Sequence, residues 1–294
     1  MDVVISQVFT GASFGAALLL ISLGLALTFG QMGVINMAHG EFVMAGAYTA
    51  YMTQQVVTNA DVSLLIAIPV AFVIAGLLGV LLEVTIIRWM YDRPLDTLLV
   101  TFGVSLVLQQ AAKDIFGAQA VAVEAPSWLS GQIGILGYRY PYSQAFILVL
   151  ALGCLAAMAW LMKSTAFGRQ MRATVQSRGL AETVGVSTRN VDRLTFFIGS
   201  GLAGIAGVAV TRITAVESTM GQEYIIWAFL VVVVGGIGQI KGAVIAAFAF
   251  GILRSFLTYF TDGSMAVVLT FLIVVAFLQV RPQGLFVVRT RSLV

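Results

Sequence analysis

The chain alternates long apolar runs with short polar punctuation, a rhythm that predicts a set of membrane-crossing helices. A spanning helix needs about 20 apolar residues. Runs of that kind fall at about 8–29, 36–57, 62–84, 97–115, 144–162, 194–214, 224–240, 242–260 and 265–280. They make nine spans, bounded by eight and ten, because the 224–260 region reads in two ways. Gly235-Gly236-Ile237-Gly238-Gln239-Ile240-Lys241-Gly242 is either a tight connection or an unwound stretch inside one crossing. Gly30-Gln31-Met32-Gly33-Val34-Ile35-Asn36 has a similar character in the first half. Non-helical backbone at membrane depth is tolerated only inside protein or against a cavity, and paired interruptions in two halves point to a central transport site. The expected fold is all-α and polytopic, with candidate helix breaks near 30–41 and 235–242.

Polar residues inside these runs change the picture from anchor to pathway. Asn36, His39 and Glu41 stand between Gly11–Phe29 and Phe42–Val57, neither of which holds a charged side chain. Polar groups at membrane depth are expensive and usually face a bundle interior or a wet path. Two readings of the His39–Glu41 pair stand: a proton relay, or capping and positioning at a solvated mouth, with Asn36 capping a helix and Glu41 favouring its first turn. Thr97, Thr101, Ser105 and Gln109 recur every fourth residue and so share one face of a helix. That stripe either lines a hydrogen-bonding route for a neutral solute or packs one helix on another. Gln109 is the largest member and the first to test.

Composition supports the membrane reading. Hydrophobic residues make up 60% of the 294 and charged residues 10%, against roughly 25% charged in soluble domains. Mean hydropathy is +0.99. The net charge of +3 is too small to imply nucleic acid. No cleavable signal peptide is expected, because the first basic residue is Arg88. Cys154, the single cysteine, excludes an intramolecular disulfide and reads as a packing residue.

The basic residues set the topology. The 163–193 stretch carries Lys163, Arg169, Arg172, Arg178, Arg189 and Arg193 against Glu182 and Asp192, and the C-terminal tail adds Arg281, Arg289 and Arg291. The connections near 58–61 and 261–264 hold only Asp61 and Asp262. Lys and Arg concentrate in cytoplasmic loops, which puts the 163–193 loop and the C-terminus inside and, with nine spans, the N-terminus outside. Residues 116–143 then form an extracytoplasmic loop whose Trp128, Tyr138, Tyr140 and Tyr142 suit an interfacial belt, with Pro126 and Pro141 beside them. A loop of that length also suits reception of a solute-binding protein. Within 163–193, the 169–176 stretch is helical in character, and a second helical piece, Leu180 to Val184, stops at Gly185. Such a basic helix either docks into a groove on a soluble partner or only sets topology against lipid headgroups.

Three elements carry a family resemblance. The first is Gly33-Val34-Ile35-Asn36-Met37-Ala38-His39-Gly40-Glu41 with Gly46-Ala47-Tyr48. The second is Gly168-Arg169-Gln170-Met171-Arg172-Ala173 with Ala181-Glu182-Thr183-Val184-Gly185-Val186. The third is Val233-Val234-Gly235-Gly236-Ile237-Gly238 with Gly242-Ala243, ending in Arg281-Pro282-Gln283-Gly284-Leu285-Phe286. Spread over 33–286, they resemble the membrane permeases of ATP-binding-cassette importers for branched-chain amino acids, urea and short amides. The resemblance implies one permease domain over 1–294 in a bacterial inner membrane. It also implies a second permease subunit, two ATPase subunits that bind the ATP, and an extracytoplasmic solute-binding protein. It makes the 163–193 loop a coupling loop, with Arg169, Arg172, Ala181, Glu182 and Gly185 as candidate contacts; Gly179 stands where the broader pattern has a glutamate. Pro94–Ser105 and Pro126–Gly131 look more like urea permeases, so urea is the first expectation and branched-chain amino acids or short amides the alternative.

Other function classes fit less well. The only lysine followed by Ser or Thr is Lys163, and the two glycines a phosphate-binding loop needs before it are Met162 and Ala157. A channel or self-sufficient transporter is the more remote alternative. No nucleophile constellation suggests an enzyme, and one histidine without clustered acids does not supply a metal site. No cofactor is expected on this chain.

Overall fold

A computed structural model describes residues 2–91, 93–135 and 138–286; Arg289 and Arg291 lie outside them, as does the side chain of Tyr138. The fold is all-α and polytopic, with eleven α-helices and a single two-stranded hairpin among the described residues. The long helices are α1 (Asp2–Met32), α2 (His39–Val56), α3 (Ala60–Thr85), α4 (Pro94–Phe116) and α5 (Tyr142–Ser164). Two short helices follow, α6 (Ala166–Gln176) and α7 (Arg178–Thr183). The chain then forms α8 (Thr188–Val210), α9 (Met220–Gly235), α10 (Ile240–Phe260) and α11 (Gly263–Val280). The hairpin pairs β1 (Gln132–Ile135) with β2 (Tyr138–Pro141).

Seven of these helices are long and apolar enough to cross a membrane: α1, α3, α4, α5, α8, α10 and α11. The other two expected spans are α2 and α9. A helix of 16 residues such as α9 rises only about 24 Å, less than the roughly 30 Å hydrocarbon core. Each of the two is preceded by irregular chain, residues 33–38 before α2 and 211–219 before α9.

Both halves of the chain use one plan: a long helix, an irregular stretch, a shorter helix, a tight turn and another long helix. The broadest pairings are α3 with α8 and α1 with α10, while α2 leans on α8 and α9 on α1. Exchanging α1–α3 for α8–α10 therefore reproduces the packing. The long pairs run antiparallel, as shown by Gly15 against Ala247 and Gly11 against Gly251, and by Gly79 against Ser200 and Gly204 against Ala71. The arrangement is an inverted repeat. Small residues let these backbones approach closely, since lipid supplies no hydrophobic drive between helices. α1 is buried on all sides from Ala16 to Leu27, as a helix that is apolar all round should be.

The break near 30–41 is present at 33–38, entered through Gly33 at φ +65°. The glycines at 235–242 are a tight connection between α9 and α10, with Gly236 at φ +100°, and not an unwound crossing. Nor are the two glycine segments counterparts in the repeat. They touch at the same end of the bundle, where a Cβ on Gly30 would come 2.6 Å from the Gly238 Cα. The counterpart of 33–38 is 211–219, which lacks the glycine signature.

Candidate functional site

The irregular stretch 33–38 folds back along α1 and starts α2 deep in the bundle. Asn36 Oδ1 accepts the Ala38 N–H at 3.0 Å, and the Met37 N–H donates to Thr101 Oγ1 at 3.0 Å. The cap position of α2 is Ala38, with no side-chain cap, so Asn36 braces the entering turn from two residues upstream. His39 and Glu41 are 0% and 1% exposed, which removes the expected solvated mouth. His39 Nε2 donates to the Ile21 carbonyl of α1 at 3.1 Å; because a carbonyl only accepts, the proton sits on Nε2. Glu41 points the other way, towards α4. Its Oε1 accepts from Ser105 Oγ at 2.7 Å and Gln109 Nε2 at 2.8 Å. No hydrogen bond links His39 to Glu41 among the described residues, so the pair forms no direct relay.

Glu41 Oε2 has no hydrogen-bond partner and lies beside the start of α9, where a Cβ on Gly221 would approach it to 2.7 Å. The N-terminal turns of α2 and α9 thus abut one another: a Cβ on Gly40 would sit 2.1 Å from the Gly221 carbonyl oxygen. Helix N-termini favour negative charge, and two of them converge on this carboxylate. Half-length helices meeting inside an inverted repeat are a recurring way to build an intramembrane polar site.

The four-residue stripe is the buried face of α4. Thr97, Thr101, Ser105 and Gln109, with Ala112, are its buried residues, while Leu95, Leu99, Val107 and Ile115 face outward. α4 packs chiefly on α2, and it does so through hydrogen bonds to the 37–41 segment. Structure therefore brings Asn36, Glu41, Thr101, Ser105 and Gln109 into one seam. Thr97 lies below it, bonding the Met90 and Arg93 carbonyls, and His39 faces away.

The expected coupling loop is α6 and α7. Thr165 Oγ1 accepts the Gly168 N–H and Ser177 Oγ the Leu180 N–H, the usual way to satisfy a first turn. Arg169 and Arg172 are exposed, with Arg172 bonding the Met162 carbonyl. Glu182 is exposed and accepts from Thr188 Oγ1 at 2.6 Å, and Gly185 ends the helix at φ +85°. Ala181 is 3% exposed and faces the chain's own core, whereas Leu180 and Val184 are 69% and 77% exposed. The outward surface of α7 is therefore Leu180 and Val184, and Ala181 is the residue that lets α7 seat.

Two groups of residues escaped the sequence reading. At the α6–α7 end, Asp192 on α8 pairs with Arg178 and accepts from Gln31 Nε2 at 3.0 Å, while Gln31 Oε1 accepts from Thr195. Tyr91 donates to Glu83 at 2.8 Å and lies under the Arg178 guanidinium at 5.0 Å. Burial, then the nearby Asp192 and Glu83 carboxylates, pushes the Tyr91 hydroxyl well above its ordinary value. Glu83, Tyr91, Arg178 and Asp192 line a cleft of about 380 Å³ with Arg88, Arg189 and Arg193. The second is Arg254, half-buried inside α10. A lone basic residue within the 242–260 run was the available signal.

A multi-pass permease is the class that the repeat, the polar seam and the helical loop define. A family model described as the permease component of branched-chain amino acid transport systems matches residues 7–278, and the chain belongs to that family. The high-affinity branched-chain amino acid transport permease LivH of Escherichia coli is 28% identical, over 96% of this chain and 94% of that protein. BraD of Pseudomonas aeruginosa, described in the same words, is 25% identical over 96% of this chain and 95% of its own length. The autoinducer 2 import permease LsrC of Salmonella choleraesuis is 30% identical over 66% of this chain and 55% of that protein. No solved structure matches the chain.

Proposed function

We propose that this chain is the permease subunit of an ATP-driven importer for aliphatic α-amino acids. The observation that carries the reading is the end-to-end likeness to LivH and BraD. Those relatives favour the amino-acid alternative over urea, and Arg254 inside a span suits a charged solute better than a neutral one. In this reading the chain works with a second permease, two ATPase subunits and a solute-binding protein, and catalyses nothing itself. It sits in a bacterial cytoplasmic membrane with the N-terminus outside and α6–α7 in the cytoplasm, α7 meeting the ATPase through Leu180 and Val184.

Within that reading, the seam of Asn36, Glu41, Thr101, Ser105 and Gln109 borders the route, with His39 and Thr97 holding its edges. Support comes from the attachment of α4, which rests on α2 and buries little besides the stripe. Such a helix can separate from α2 by exchanging a few hydrogen bonds. Uptake of labelled leucine and labelled urea in a strain lacking the chain, with and without complementation, tests the function. Leucine uptake that follows the chain supports it, and urea uptake that does so alone overturns it.

A further inference from the structure

α1, α9 and α10, with Ile213 and Thr214 of the connection before α9, line an open pocket of about 600 Å³. Arg254 stands in it, inside the last two turns of α10 but before its final turn. An unpaired cation facing lipid at that depth is costly, yet among the described residues Arg254 forms no hydrogen bond and no ion pair within 4 Å. Its guanidinium lies over the rings of Phe14 at 4.3 Å and Trp227 at 5.1 Å, and Trp227 is itself stacked on Phe271 at 5.0 Å. Ring contacts engage the face of a guanidinium and leave its N–H edge unspent. The same cavity is lined by the exposed carboxylate of Glu223 in the first turn of α9. Two opposite charges share one chamber without closing on each other.

We propose that this cavity is a subsite for a zwitterionic α-amino acid, with Arg254 taking the α-carboxylate and Glu223 the α-ammonium. Phe14, Ile213 and Tyr259 supply the apolar wall for an aliphatic side chain. A guanidinium fork matches a carboxylate with two parallel hydrogen bonds, and the volume falls within the usual range of small-molecule pockets, roughly 300–1,000 Å³. The inference rests on the amino-acid importer reading and deepens it. Glu223 follows Gly221 by two residues in the turn that touches Glu41, so a solute held here pulls on the half-helix junction directly.

The test uses membranes containing the assembled importer, with Cys154→Ala and the reporter Thr258→Cys on the cavity wall. A water-soluble methanethiosulfonate reagent should label the reporter, and millimolar L-leucine should slow labelling. Leucinamide, which lacks the carboxylate, and 4-methylpentanoate, which lacks the ammonium, should each protect on the order of tenfold less, as should L-leucine after Arg254→Gln or Glu223→Gln. Glu223 is exposed, so its neutralisation leaves packing intact and reports on binding alone. A reporter that never labels, equal protection by all three solutes, or protection that follows phosphatidylglycerol content in place of leucine overturns the subsite. If leucine uptake does not depend on the chain at all, the importer reading fails. If uptake depends on the chain but both variants transport normally, only the subsite fails.

Discussion

Glu41 and Gly221 begin two different helices and meet inside the bundle, the glycine leaving room for the carboxylate oxygen that has no other partner. The contact depends on the absence of a side chain at both Gly40 and Gly221. Gly40→Ala would drive its methyl against the Gly221 carbonyl, and overpacking of that kind typically costs about 1–3 kcal/mol. Lower thermal stability of the purified permease in detergent is the expected result. Gly103→Ala on α4, where an added methyl meets nothing within 4 Å, is the neutral control.

Gln109→Leu removes one of the two donors to Glu41 Oε1. Leaving a buried carboxylate short of a partner costs about 1–3 kcal/mol, and 1.4 kcal/mol on a barrier is about tenfold in rate. If the seam borders the route, transport per assembled complex should fall while assembly holds. Unchanged transport per complex, with a lower yield of complex, would assign Gln109 to packing alone.

Asp192 ties α7 to α1 and α8 through Arg178 and Gln31. Asp192→Asn keeps the shape and a hydrogen bond to Gln31 but removes the charge that holds Arg178. Because Arg178 is 41% exposed, solvent screening limits the stability cost to about 1 kcal/mol. Leucine-stimulated ATP hydrolysis should drop several-fold in assembled complexes while basal hydrolysis is retained. Equal stimulation in both proteins would show that the tie carries no signal.

At α7 neighbouring side chains face opposite ways, Ala181 inward and Leu180 outward. Ala181→Trp is expected to unseat the helix from its own chain, lowering permease abundance in the membrane, because Ala181 is packed inward. Leu180→Glu should leave abundance intact and weaken co-purification of the ATPase. The reverse pattern would put the partner surface on Ala181.

Orientation has a direct readout. Cysteines placed at Arg172 and Arg189, in a background lacking Cys154, should resist an impermeant reagent applied to intact cells, while one at Trp128 should react. Labelling at 172 from outside would invert the topology.

Seven of the nine spans were legible because their apolar runs satisfy a length rule by themselves, and the α4 stripe because a period of four residues survives in sequence. Which way the stripe faced was not: an isolated membrane helix gives no reason to bury its polar face, and it is the 35–41 segment that meets Thr101, Ser105 and Gln109 from outside α4. The half-helix junction was hidden for a different reason. Gly40 and Gly221 are far apart in the chain, and 211–219 announces its irregularity with no glycine or proline. Arg254 was legible and was passed over, since an apolar average conceals a single charge. Ala181 shows the limit of a motif, which locates a helix but not the side on which its small residue lies.

The pairing of α1 with α10 bears on how the protein is made. α1 finds its broadest glycine-lined partner only when residues near 250 have been synthesised. Until then α1, apolar all round, waits in lipid without its neighbour, and long-range pairing of this kind is slow and exposes incomplete surfaces. A chain interrupted before α10 would leave Gly11 and Gly15 facing lipid, which makes the nascent permease a target for membrane quality control until α10 has arrived.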